Sequence, residues 1–145
     1  MSSVLLRSAL YVPANNTRAI EKALSLNSDA VILDLEDAVA PDAKIDARKY
    51  AIEVANQRAF GGRPLVIRAN ALDTQWGRED MLAIRESGAA AVLVPKLDRA
   101  DTISEIEALI DGGQPDLRIW AMVETCGATP GCQIVLMTRS FFGAS

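Results

Sequence analysis

Five short apolar runs in this chain each end in a polar residue suited to carboxylate or cation chemistry. The densest is Ala30-Val31-Ile32-Leu33-Asp34-Leu35-Glu36-Asp37-Ala38-Val39-Ala40-Pro41. A run that is apolar on both faces reads as a buried parallel strand, and its carboxylates then fall at the C-terminal end. In parallel α/β folds that end carries the chemistry. The other runs deliver Asn15, Arg68 with Asn70, Lys96 and Glu124, and parallel strands would bring all of them to one rim. Arg68 closes an apolar strand, where it is costly to bury alone, so it holds either an acidic neighbour or an anionic ligand. Its guanidinium fork suits bidentate carboxylate recognition. Glu124 follows Trp120-Ala121-Met122-Val123 and reads either as a partner for Lys or Arg or as a metal ligand. Several carboxylates at one rim repel unless a cation neutralises them, a role open to Lys96, to Arg68 or to a metal. Magnesium fits a hard, oxygen-only site of one or two carboxylates, waters and substrate oxygens.

Composition narrows the chemistry further. The 145 residues include no His, which excludes Ser-His-Asp and Cys-His nucleophile systems and most zinc sites. Cys126 and Cys132 lack a CxxC spacing and are given no role. A net charge of −4 without a Lys/Arg cluster argues against a nucleic-acid partner and leaves a small molecule as the expectation. With 50% hydrophobic and 23% charged residues the chain reads as one globular domain without a membrane partner. Arg7 and Asn15 interrupt the apolar stretch near the start, so no signal peptide is expected and the cytoplasm is the expected compartment.

The elements that must position these groups alternate. Strands are expected at Ser8–Val12, Ala30–Leu35, Pro64–Arg68, Ala90–Val94 and Leu117–Val123. Helices are expected over Thr17–Leu26, capped by Asn16 or Thr17, and from Asp42 to about Phe60, with Ile45, Ile52 and Ala55 facing the core. Two more follow: Glu79–Glu86, and a segment opened by a Thr102/Glu105 capping box and closed by Gly112-Gly113. Strand–helix alternation at this spacing predicts an α/β fold with a largely parallel sheet, either doubly wound or part of a (β/α)8 barrel. From Cys126 onward the pattern decays, and Ile134–Met137 is a lone apolar run left unassigned.

The order of the segments carries a resemblance. Arg7-Ser8-Ala9-Leu10-Tyr11-Val12-Pro13, VILDLEDAVAP with Lys44 and Ala47-Arg48, VIRAN with Thr74, VLVPKLD and WAMVET follow one another. Together, over roughly Arg7 to Thr125, they resemble the citrate lyase β-subunit-like family of HpcH/HpaI aldolases, in the pyruvate/phosphoenolpyruvate superfamily of (β/α)8 barrels. The resemblance implies parallel (β/α) units of an incomplete TIM barrel of about five strands: 1–125 as the N-terminal part of the lyase domain and 126–145 as a divergent tail.

It further implies a magnesium-dependent carbon–carbon lyase that cleaves a citryl-, malyl- or citramalyl-CoA-like thioester into an acyl-CoA and a 2-keto acid. Arg68 would bind the carboxylate of the keto-acid half, and Glu124 would be a magnesium ligand. Glu36 and Asp37 would lie near the metal and its waters. Arg7 and Arg18 would approach CoA phosphates, with Lys96 also on the substrate side. Full-length relatives are expected to be homo-oligomers. The family's second metal ligand, an Asp, is expected beyond Ser145, and a half-barrel is expected to leave two sheet edges and apolar faces uncovered. Alternatives are a catalytically inactive fragment, an interaction half-barrel completed by another chain, and an aldolase acting on free 2-keto acids.

Overall fold

A computed structural model describes residues 6–97, 99–123 and 133–137. Five strands run parallel in sequential order: β1 (Ala9–Pro13), β2 (Ala30–Asp34), β3 (Leu65–Arg68), β4 (Ala91–Val94) and β5 (Arg118–Val123). Helices α1 (Thr17–Ser25), α2 (Lys44–Gln57), α3 (Gly77–Arg85) and α4 (Ala100–Ile110) fill the connections. The lone apolar run becomes β6 (Gln133–Met137), which pairs antiparallel with β5. The outer edge of β5, expected to lie open, is therefore paired. β1 and β6 are the edge strands of the sheet.

Every residue of β2, β3 and β4 is buried, as expected for parallel strands covered on both faces. Side chains alternate between two cores. Val31, Leu33, Ile67 and Val92 pack with the helices, through residues such as Ile20, Ala51, Ile84 and Ile106. Ile32, Val66 and Leu93 form the second core with Trp120 and Met122. Each such aliphatic side chain contributes about 1.5–3 kcal/mol by leaving water.

Helix boundaries follow local chemistry. Asn16 caps α1, its Oδ1 accepting from Ala19 N at 3.0 Å. The expected long helix from Asp42 is instead a 3-10 turn at Pro41–Ala43 followed by α2, and neither has a side-chain cap. It ends at Gln57 because Arg58 takes the left-handed conformation at φ 51°, before Gly61-Gly62 is reached. The expected Thr102/Glu105 capping box is not formed: α4 starts at Ala100, with Arg99 at the cap position and no side-chain cap. Ile45, expected in the core, is 54% exposed, because α2 turns Lys44, Ala47, Ala51, Val54 and Ala55 inward.

One glycine is fixed by close approach. A Cβ on Gly77 would stand 2.1 Å from the carbonyl oxygen of Ala71, in the turn that joins β3 to α3. That contact is with backbone, which cannot rotate away. Gly77→Ala is expected to lower stability by about 1–3 kcal/mol through overpacking. Urea unfolding checks this, and an unchanged midpoint would show that the turn can widen freely.

Candidate functional site

Parallel pairing puts the C-terminal ends of β1 to β5 on one side, and the register decides which side chains meet there. Asp34 lies directly beside Arg68 on the neighbouring strand. Each follows a second-core residue by two positions, Ile32 and Val66, so both point to that face. They meet as a fork: Arg68 Nε donates to Asp34 Oδ1 at 2.7 Å, and Nη2 to Oδ2 at 2.5 Å. The pair is buried, with Asp34 3% and Arg68 7% exposed.

The remaining guanidinium nitrogen faces the acidic turn after β2. Arg68 Nη1 is 3.6 Å from Glu36 Oε1 and 3.8 Å from the Met122 sulfur, while Nη2 is 3.9 Å from Asp37 Oδ2. The Tyr11 ring lies 5.2 Å from the guanidinium carbon. Asp34 also orders the turn: its Oδ1 accepts from Glu36 N at 2.8 Å and its Oδ2 from Ala38 N at 3.2 Å.

These environments separate the carboxylates. Burial pushes Asp34 up, but hydrogen bonds from Arg68 and the backbone N–H of Glu36 and Ala38, with the Arg68 charge, bring it below its ordinary range. For Glu36 burial wins, aided by the negative charges of Asp37 and Asp34 against Arg68 and Lys96, and its carboxyl is raised. Burial also pushes Arg68 down, and the Asp34 hydrogen bonds and charge outweigh it, so its guanidinium holds its proton more firmly than usual. The site thus has one firmly ionised carboxylate and, in Glu36, one with raised proton affinity.

A second polar group lies beneath the turn. Lys44 Nζ donates to the carbonyl oxygens of Leu35 and Glu36 at 2.9 and 2.7 Å and to Asn70 Oδ1 at 2.7 Å. Asp80 Oδ2 accepts from Asn70 N and Nδ2 at 2.9 and 2.7 Å, and its Oδ1 accepts from Arg48 Nε at 2.7 Å. Burial lowers the Lys44 pKa, against the pull of Asp34, Asp80, Glu36 and Asp37.

The expected residues divide as follows. Arg68, Glu36 and Asp37 converge. Lys96 is exposed just past β4 with φ 51°, near enough to Glu36 to act on its charge. Arg18 is exposed in the first turn of α1, after β1. Arg7 is not brought to this rim: it precedes β1, at the opposite end of the sheet, and its guanidinium is 3.3 Å from Asp29 Oδ1. Glu124 lies outside the described residues, as do Cys126 and Cys132. Among the described residues no three Asp, Glu, His or Cys side chains converge as a metal cage. No helix among them is long and apolar enough to cross a membrane.

Of the two partners open to Arg68, the structure supplies the acidic neighbour, and it is Asp34 rather than Glu36 or Asp37. Asp34, Lys44, Arg48 and Asp80 were not among the expected site residues. The shared step of two from Ile32 to Asp34 and from Val66 to Arg68 is the signal that could have exposed the first.

Comparison with known proteins identifies the family and the fold. The family profile described as HpcH/HpaI aldolase/citrate lyase matches residues 7–137. The (3S)-malyl-CoA thioesterase of Cereibacter sphaeroides is 46% identical over 119 residues, covering 82% of this chain and 40% of that protein. Citrate lyase subunit beta of Escherichia coli is 34% identical over 125 residues, covering 86% of this chain and 38% of that one. Among solved structures, citrate lyase beta subunit from M. tuberculosis, complexed with oxaloacetate and magnesium, superposes with a TM-score of 0.60 at 28% identity, over 81% of this chain and 47% of that one. The chain thus spans about 40% of the length of the first curated relative. Its five parallel strands and their helices are (β/α) units of a TIM-barrel-like fold.

Proposed function

This chain belongs to the HpcH/HpaI aldolase/citrate lyase family, and from that premise we propose that it supplies part of the active site of a carbon–carbon lyase acting on a 3-hydroxyacyl-CoA thioester. The observation that carries the reading is Arg68, held on two nitrogens by Asp34 with Nη1 turned toward Glu36 at the strand-end rim. Asp34 fixes the plane of the guanidinium, and Nη1 remains to meet a carboxylate oxygen of the keto-acid half.

In the cleavage, the bond between C2 and C3 of the acyl chain breaks and the C3 hydroxyl becomes the carbonyl of a 2-keto acid. The electron pair passes to the thioester enolate, which takes up a proton to become the acyl-CoA. Glu36, whose carboxyl has raised proton affinity, receives the hydroxyl proton at a carboxylate oxygen. Asp37, far more exposed, helps to orient the reacting oxygens.

Magnesium suits the donors here. A cation at this rim would relieve the repulsion between Glu36 and Asp37, which would lie near it and its waters. Without a three-residue cage among the described residues, water, substrate and Glu124 would complete the set. Magnesium, when bound, would act as a Lewis acid on the oxygens of the keto-acid half. Lys96 and Arg18, both exposed on this side of the sheet, would meet anionic parts of the thioester. Residues 1–125 are proposed as the lyase portion and 126–145 as a divergent tail.

A second reading is favoured by one finding: the 46% identical relative is a thioesterase, so hydrolysis of the thioester bond competes with carbon–carbon cleavage as the outcome. Incubation with malyl-CoA and magnesium, followed by mass spectrometry, separates the two. Acetyl-CoA with glyoxylate marks the lyase, and free CoA with malate marks the hydrolase. Arg68→Ala is expected to lower turnover about 100- to 1,000-fold. Turnover that survives this change would remove Arg68 from the site.

A further inference from the structure

Lys44 is pulled into the interior although its neighbour Ile45, the expected core residue, is left in water. All three of its ammonium protons have acceptors: the carbonyl oxygens of Leu35 and Glu36, and Asn70 Oδ1. Two of these acceptors belong to the turn that carries Glu36 and Asp37. The third stands two residues beyond Arg68 and is itself held at two nitrogens by Asp80. The Trp76 ring lies 5.1 Å from the ammonium group.

We propose that Lys44 is a positioning residue that ties the acidic turn after β2 to the end of β3, and so sets how Glu36 is presented to Arg68. A compact ammonium on a four-carbon stem can donate to three oxygens in three directions. A planar guanidinium cannot reproduce that arrangement. Removing it takes its donor from two carbonyl groups of the turn at once, and leaves the Glu36 carbonyl with the 3.3 Å bond from Val39 N. The turn then keeps its Asp34 bonds to Glu36 N and Ala38 N, together with the backbone bonds from Leu35 N to the Arg68 carbonyl and from Val39 N to the Glu36 carbonyl. Only the consequence for turnover rests on the proposed function.

Amide hydrogen exchange on the whole chain tests this, comparing wild type with Lys44→Met and reading residues 35–38 against α4 as an internal reference. Exchange at 35–38 is expected to rise about 10-fold with α4 unchanged, the size of one lost hydrogen bond. In the malyl-CoA assay kcat is expected to fall about 10-fold while KM stays within about twofold. Should Lys44→Met not fold, Lys44→Arg is read in the same way and is expected to speed exchange at 35–38. Unchanged exchange at 35–38, or an equal rise in α4, would overturn the proposal. Absence of turnover in the wild type would defeat the proposed function, while the exchange measurement would still decide the role of Lys44.

Discussion

Replacing Asp34 by alanine is expected to lower stability by about 3 kcal/mol, because it leaves a buried guanidinium without its bidentate partner. Of its acidic neighbours Arg68 would keep the longer approaches to Glu36 and Asp37, at 3.6 and 3.9 Å. The Glu36 and Ala38 N–H groups would lose their acceptor as well. Arg68→Met leaves Asp34 with those two N–H donors, so a smaller loss is expected. The double variant should lose less than the sum of the two, by about 1–3 kcal/mol, since the pair acts as a unit. Urea unfolding of the three variants closes the cycle. Strict additivity would mean that the fork contributes little beyond its separate halves.

The same pair sets the acid response. Asp34 is lowered in the folded state, so its contribution is present above its ordinary value of 3.8 and is lost as pH falls through the lower folded value. Glu36 acts in the opposite sense. Its folded value is raised, so its ionisation removes stability as pH climbs from 4.5 through that value. Urea midpoints followed against pH should therefore show a drop on the acid side that is smaller in Asp34→Ala, where Asp29, lowered by its hydrogen bonds with Arg7, still contributes. A Glu36→Gln variant should remove the decline on the other side.

Asp80→Ala is the second large effect, again about 3 kcal/mol. Asp80 is 1% exposed, and its carboxylate accepts from the backbone and side chain of Asn70 and from Arg48. Alanine leaves a buried N–H, a buried amide and a poorly solvated guanidinium without an acceptor. Asp80→Asn keeps the shape but turns one oxygen into a donor that faces donors. It is expected to lose nearly as much. Denaturant unfolding checks both, and a loss below about 1 kcal/mol would show that water replaces the carboxylate without difficulty.

The alternation of strands and helices was legible in the sequence because it depends on local pattern: continuous apolar runs for buried strands, and Gly, Pro and cap residues between them. VILDLEDAVAP, VIRAN and their order also sufficed to indicate the family and to put Glu36, Asp37 and Arg68 at strand ends. Chain order alone could not say which carboxylate would take the guanidinium. That follows from the lateral register of β2 and β3, which sets Asp34 beside Arg68 and keeps Glu36 a further 1 Å or so away.

Nor could helical spacing show that α2 would bury Lys44 and expose Ile45, since by hydropathy Ile45 is the better core residue. Three oxygen acceptors, from two turns distant in sequence, converge only after the sheet has formed, and they outweigh one isoleucine side chain. Arg7 shows the same division: its type suited an anion, while its place before β1 sent it to the far end of the sheet. Residue types and local periodicity thus determined the elements and the kind of chemistry. Lateral register and helix rotation, which depend on contacts between segments, decided the partners.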